Sequence, residues 1–186
     1  MNKMKTSPCV VLGVTGSIAA FKAAHITSLL RQKGAGVHVI MTREAEAFVA
    51  PLTFQALSGR KVLRSLFDPP EAWDIEHVSL AEQADLVLIA PATANVIGKL
   101  AAGICDDLLT CVVTATRAPV FLAPAMNDGM YANTIVRDNI ARLKRTGFEF
   151  LGPRSGRLAC GSVGEGRMSE PEDIVAAVLS RIGKKR

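Results

Sequence analysis

Two apolar runs in this chain end in the same way. Leu88-Ile89-Ala90-Pro91-Ala92-Thr93-Ala94-Asn95 and Phe121-Leu122-Ala123-Pro124-Ala125-Met126-Asn127 each pass into Ala-Pro-Ala and then reach an Asn. Proline has no N–H to give a neighbouring strand, so each proline predicts where sheet pairing stops. The residues beyond it then stand at the carboxyl edge of a sheet, where open α/β sheets bind their ligands. An Asn at each end, carrying donors and an acceptor, predicts two polar side chains facing one crevice.

Composition supports a sheet covered on both faces. Hydrophobic residues make up 49% of the 186 positions and aromatic ones only 5%. An aliphatic interior of this kind suits strands that read as continuous apolar runs. The length predicts a single domain over 1–186 with a sizeable core. No uninterrupted apolar stretch approaches the ~18–20 residues of a membrane span. The basic start Met1-Asn2-Lys3-Met4-Lys5 leads into a run broken by Gly13-Val14-Thr15-Gly16-Ser17, which reads as a first strand rather than a signal peptide. A cytoplasmic protein without a membrane partner is expected.

Lys and Arg number 22 against 17 Asp and Glu, a net +5, part of it in the tail Gly183-Lys184-Lys185-Arg186. No long basic stripe with interleaved aromatics occurs, so a nucleic-acid partner is not expected. A modest positive field suits small molecules bearing phosphate or carboxylate. Cys9, Cys105, Cys111 and Cys160 form no C-x-x-C pair and no metal-ligand spacing, so no metal is expected. Cys9 and Cys111 fall in apolar segments, where inert thiols are usual.

The pattern alternates strands and helices. Strands are predicted over 9–14, 37–41, 62–66, 86–90, 120–123 and 148–151. Helices are predicted over 18–31, 43–57 with an interruption at Pro51, 77–83, 93–102, 107–116 and 128–145. In the first helix Ile18, Ile26, Leu29 and Leu30 mark the apolar side, and in the long one Val136, Ile140 and Leu143 do. Ser169-Glu170-Pro171-Glu172 reads as a capping box with proline in the first turn. A stripe of Ile174, Val178, Leu179 and Ile182 follows. Strands and helices in this order imply an α/β fold with one doubly wound parallel sheet. The exception is 152–168, rich in Gly and Arg and without periodicity, which predicts a long functional loop near the carboxyl end.

Several positions carry chemistry. Gly13-Val14-Thr15-Gly16-Ser17-Ile18-Ala19 lies where the first strand turns into the first helix, as a phosphate-binding turn would or as a plain tight turn would. Its spacing is not G-x-G-x-x-G, and Thr42-Arg43 replaces the acidic residue a dinucleotide ribose needs, so a mononucleotide fits better than NAD. His77 reads either as a satisfied structural residue or as a proton acceptor near neutrality. His25 and His38 read as structural. Asn127 could cap the helix after it or contact a ligand, and the matching Asn95 favours a ligand. Cys160 lies in a Gly-rich segment between Arg157 and Arg167, where positive charge favours thiolate. Nucleophile, proton donor and incidental thiol all remain open for it.

Taken together, Gly16-Ser17-Ile18-Ala19-Ala20, His77, the Pro91–Asn95 segment and Pro124-Ala125-Met126-Asn127 with Met130 form a recognisable set. Ala159-Cys160-Gly161, followed by Gly164-Glu165-Gly166-Arg167-Met168, completes it. The set resembles the homo-oligomeric flavin-containing cysteine decarboxylases over residues 8 to about 180. Val96 and Ser162 depart from the family pattern, which usually has a hydroxyl at the first and an Asp at the second. The resemblance implies a Rossmann-like flavoprotein fold, with 152–168 as a flap, and FMN as cofactor. It implies FMN contacts from Gly16, Ser17, Thr42, Thr93, Ala94, Asn95 and Ala125. Catalytic roles fall to His77, as base in thiol oxidation, and Cys160, as proton donor to an enethiol. Substrate binding falls to Asn127, through the substrate carboxylate, with Met126 and Met130 packed around it. The implied substrate is a small molecule with thiol, carboxylate and phosphate on the route to coenzyme A. Rival readings are a peptide with a C-terminal cysteine and a non-catalytic, phosphatase-regulating relative. Relatives form trimers or multiples of trimers, and bifunctional ones continue into a synthetase domain. A homo-oligomer is therefore expected, as a stand-alone decarboxylase or as that half alone.

Overall fold

Five strands, β1 (Cys9–Val14), β2 (Gly36–Met41), β3 (Leu86–Ala92), β4 (Val120–Pro124) and β5 (Glu149–Phe150), pair side by side in the order β2-β1-β3-β4-β5. Every pairing is parallel. They belong to a computed structural model that describes residues 7–66, 76–157, 161 and 163–183, with backbone only for 76 and 77. The chain leaves β1 for β2 on one side and returns to β3 on the other. That reversal opens a crevice beyond the carboxyl ends of β1 and β3, the usual ligand position of this strand order.

Period-two alternation divides the core. Val10, Leu12 and Val14 point to a layer formed by α1 (Ala20–Gln32), α2 (Pro51–Ser58) and α8 (Pro171–Gly183). Val11 and its neighbours point to α3 (Glu76–Gln83), α4 (Ala94–Ala102), α5 (Leu108–Ala115) and α7 (Thr134–Arg145). Each fully buried Leu or Ile contributes about 1.5–3 kcal/mol of transfer free energy, and Leu12, Ile26, Leu88 and Ile97 are all of this kind. Gly13 is small for a packing reason, since a Cβ there would lie 2.5 Å from Leu109 Cδ1.

Several elements differ from their expected form. Helix α1 starts at Ala20, and Ile18, expected on its core side, lies before it and is 57% exposed. The 62–66 strand reduces to one parallel bridge between Leu63 and Ile40. The 43–57 helix is a 3-10 turn, Ala45–Ala47, and then α2. The long helix is two, α6 (Asp128–Ala132) and α7, because Asn133 takes an extended ψ of 131° and caps the second through Ile135 N–H at 2.9 Å. Pairing of β3 with β4 slips between Ile89 and Ala92, where Pro91 lies, and resumes at Ala92 opposite Pro124. The proline therefore interrupts the ladder without ending it. Helix α8 starts after Glu170, whose carbonyl accepts from the Asp173 and Ile174 N–H groups, and Ser169 donates instead to the Leu151 carbonyl at 3.2 Å.

The largest correction concerns the expected long loop. Within 152–168 lies an antiparallel hairpin, β6 (Arg154–Arg157) with β7 (Val163–Arg167). Glycines and arginines hide it from a hydrophobic pattern. Among the described residues no helix is long and apolar enough to cross a membrane, and no group of three His, Cys, Asp or Glu could hold a metal ion.

Candidate active site

Thr15 follows β1 and is the first link across the crevice. Its hydroxyl donates to the Pro91 carbonyl at 2.7 Å, and its Oγ1 accepts the Thr93 N–H at 3.3 Å. Thr93 in turn caps α4 by accepting the Val96 N–H at 3.3 Å. The ends of β1 and β3 are thus joined by two threonines, and the positive end of α4 is turned to the crevice. The Ala125 N–H donates to the Ala92 carbonyl at 3.1 Å, adding the end of β4 to the same edge.

Two adjoining cavities occupy this edge and share Ser17, Ala125 and Met126. The first, about 310 Å³, lies at the β1–β3 reversal against Gly16, Thr42, Thr93, Ala94, Asn95 and Met130. The second, about 450 Å³, lies under the hairpin against Ile18, Phe21, Asn127, Arg157 and Met168. Both fall within the size range of small-molecule sites. Asn95 and Asn127, expected in one crevice, line one cavity each. Asn127 keeps its helix role as well, its Oδ1 accepting the Gly129 N–H at 2.8 Å to cap α6.

The structure brings together Gly16, Ser17, Thr42, Thr93, Ala94, Asn95, Ala125 and Met130 around the first cavity, and Ser17, Ala125 and Asn127 around the second. His77 stands in the first turn of α3, and its side chain lies outside the described residues. Cys160 lies outside them too. Glu44, Lys99 and Asp107 also line the first cavity, and sequence reading missed them. The only signal for them was a cap pattern, Asp107 ahead of Thr110.

Lys99 Nζ reaches Asp106 at 2.7 Å and Asp107 at 3.0 Å, tying α4 to the turn before α5. The hydrogen bond to Asp106 raises the Lys99 pKa, against partial burial and with help from Asp107. Burial alone would raise the Asp107 carboxyl. The Thr110 N–H and the Lys99 ammonium outweigh it, and the net shift is down. Glu44 is held low chiefly by its own backbone N–H, then by the Arg43 and Thr42 side chains. All three groups are charged near neutrality.

Two observations test whether a flavin nucleotide fits. Thr42 Oγ1 is buried against the first cavity without a hydrogen bond of full geometry, a donor and acceptor awaiting a partner. A Cβ on Gly16 would lie 2.5 Å from Glu44 Cβ, so glycine lets the β1–α1 turn close against the end of β2. The helix end, the Thr42 hydroxyl and the apolar floor suit a phosphate, a polyol and a ring.

A family model described as Flavoprotein matches residues 1–183. The chain belongs to this flavoprotein family. The flavoprotein is 52% identical over 167 residues to the coenzyme A biosynthesis bifunctional protein CoaBC of Vibrio vulnificus (strain YJ016), covering 90% of this chain and 42% of that protein. It thus spans less than half the length of that relative. Its fold matches a cysteine-to-serine mutant of PPC decarboxylase complexed with pantothenoylaminoethenethiol, at TM-score 0.81 and 32% identity, covering 93% of this chain and 97% of that one. SpaF, described as one of the FMN-dependent cysteine decarboxylases, matches at TM-score 0.81 and 29% identity, covering 95% and 98%. In this flavoprotein Val96, where the family usually has a hydroxyl, lies in the first turn of α4 with its side chain buried in the core. Its N–H still joins the cap.

Proposed function

We propose that this chain is a single FMN-binding domain that decarboxylates 4'-phosphopantothenoylcysteine to 4'-phosphopantetheine. The 52% identity to a coenzyme A biosynthesis protein supports the substrate, and the paired cavities at the β1–β3 edge support the chemistry. The observation that carries the reading is Asn127, which lines an apolar cavity adjoining the one at the β1–β3 reversal. Gly16, Ser17, Thr42, Thr93, Ala94, Asn95 and Ala125, which line the adjoining cavity, would hold FMN. When bound, FMN would supply the reversible two-electron redox chemistry that this reaction needs at the substrate's thiol-bearing carbon.

The chain's own residues do the rest. Asn127 binds the substrate carboxylate through its amide and orients the bond to be broken, with Met126 and Met130 packed beside it. His77 takes the proton released as the thiol becomes a thioaldehyde. Carbon dioxide then leaves, because its bonding electrons flow toward the thiocarbonyl and yield an enethiol. Cys160 donates the proton that completes the saturated thiol product. Overall, one carboxyl is exchanged for hydrogen, with no net oxidation by external reagents. The assembly is a trimer or a multiple of trimers, and the location is cytoplasmic.

The test begins with the visible spectrum of the purified protein, where flavin bands are expected. Carbon dioxide release from phosphopantothenoylcysteine then follows. A colourless protein that FMN fails to reconstitute would sink the reading. Likeness to SpaF supports a second substrate, a peptide ending in cysteine. Equal turnover of phosphorylated substrate and such a peptide would favour it.

A further inference from the structure

Two cysteines outside the proposed chemistry flank Asp106 and Asp107, and Asp107 lines the first cavity. Cys105 lies in the turn between α4 and α5, where 104–106 belong to no helix or strand. Cys111 lies in α5, whose Leu108, Leu109, Val112 and Val113 are buried. Cys111 and Thr114, three residues apart, therefore share the outward face of that helix. Cys105 is exposed and Cys111 partly buried.

Hydrogen bonds gather both thiols on this face. The Cys111 thiol donates to the Cys105 carbonyl at 3.4 Å. Cys105 Sγ lies 3.0 Å from Thr114 Oγ1 and 3.7 Å from the Gly103 carbonyl oxygen. The Thr114 hydroxyl already donates to the Thr110 carbonyl at 2.9 Å, so Cys105 is the donor in its contact with Thr114. Burial first, then Cys105 and the two aspartates, pushes the Cys111 thiol up and keeps it protonated near neutrality.

The turn between the two cysteines is held unequally. Asp107 is pinned to α5, its carboxylate accepting the Thr110 N–H at 2.8 Å and its own N–H donating to Thr110 Oγ1 at 3.2 Å. Asp106 is tied to α4 instead, through Lys99 Nζ at 2.7 Å. A bond from Cys105 to Cys111 encloses both aspartates in one ring. The cap fixes 107–110, so 104–106 must give, and Asp106 moves with it.

We propose that Cys105 and Cys111 are an oxidisable pair that hydrogen peroxide closes to a disulfide, and that closure draws Asp106 off Lys99 at the wall of the first cavity. The Cys105 sulfur, the more exposed, attacks one peroxide oxygen. The O–O bond breaks, giving a sulfenic acid and one water. The Cys111 sulfur then attacks that sulfur and expels a second water. Two thiols and one peroxide become one disulfide and two waters. No step passes through the decarboxylase chemistry.

The experiment treats the purified protein with hydrogen peroxide and follows tryptic peptide 100–117, which contains both cysteines. That peptide should lose two hydrogens, and dithiothreitol should restore them. In Cys111→Ser, Cys105 should stop as the sulfenic acid and take up dimedone. Acylation of Lys99 by an N-hydroxysuccinimide ester, read by mass spectrometry, tests the effect on the cavity wall. The Asp106 hydrogen bond is the largest influence raising the Lys99 pKa, so its loss frees more neutral amine. Oxidation should quicken acylation of Lys99 roughly two- to five-fold, as for loss of one partly exposed ion pair. Asp106→Asn should reach that rate without peroxide, and Cys111→Ser should keep the slow rate with it. Both thiols intact while free cysteine in the same solution is oxidised would overturn the proposal. So would disulfides formed between copies, or a closed disulfide with Lys99 still acylated at the reduced protein's rate.

Discussion

The two Ala-Pro-Ala ends are nearly the same in sequence and do different work. After β3, Thr93 caps the helix, and Asn95 sits exposed in its first turn beside the smaller cavity. After β4, one residue fewer separates the proline from the asparagine, and Asn127 is the cap itself. A single extra residue thus divides two roles at one end and merges them at the other. Where they are merged, a side chain held by the Gly129 N–H has a fixed place, which suits substrate orientation. Where they are divided, the amide is not needed for the helix and is available to a cofactor.

Asn127→Asp gives the largest effect expected. An aspartate keeps the cap but repels a substrate carboxylate. Decarboxylation should fall by about a hundred-fold or more in kcat/KM, while the urea midpoint stays put. If stability falls and activity survives, Asn127 is only a cap and the contrast disappears.

Thr15→Val probes the link between the strand ends. It leaves the Pro91 carbonyl and the Thr93 N–H without their partner, a cost of about 1–3 kcal/mol readable by urea unfolding. A neutral result would mean that the two ends are registered by packing alone. Asn95→Ala should weaken FMN binding roughly ten-fold, about 1.4 kcal/mol, with no change in unfolding, as flavin fluorescence titration would show. Loss of helix stability there would make the two asparagines equivalent after all.

The smallest effect concerns Asp107→Asn, which keeps a capping side chain but loses the charge facing Lys99. A partly exposed pair contributes about 0.2–1 kcal/mol. Because the folded Asp107 pKa lies below its ordinary 3.8, wild type should hold its advantage above that pH. The advantage should shrink as pH falls through the lower folded value. Thermal unfolding at several pH values checks the sign, and a difference that grows on acidification would contradict it.

Legibility followed the range of the forces involved. The strands β1, β2, β3 and β4 were readable because buried parallel strands are runs of aliphatic residues, and α8 because Ile174, Val178 and Ile182 repeat at helical spacing. The break at Asn133 was missed because no glycine or proline marks it between Tyr131 and Val136, and only the cap geometry divides the helix. The hairpin was missed because Gly164 and Gly166 are small for the sake of Met126 and Asp128, and no hydrophobic pattern records a contact made by absence. Glu44, Lys99 and Asp107 were missed because a charged residue has the same appearance on any solvated helix.

What the residues alone determined here is local: which segments are strands or helices, where caps and prolines fall, and that two strands end in polar turns. Those outcomes follow from interactions within one or two turns of chain. Tertiary structure decided the order β2-β1-β3, the threonine link between residues 15 and 91, and the resting of β7 on the segment that bears Asn127. Each depends on groups that meet only when distant segments are packed together, and their energies arise from distances in space that neighbours in sequence do not specify.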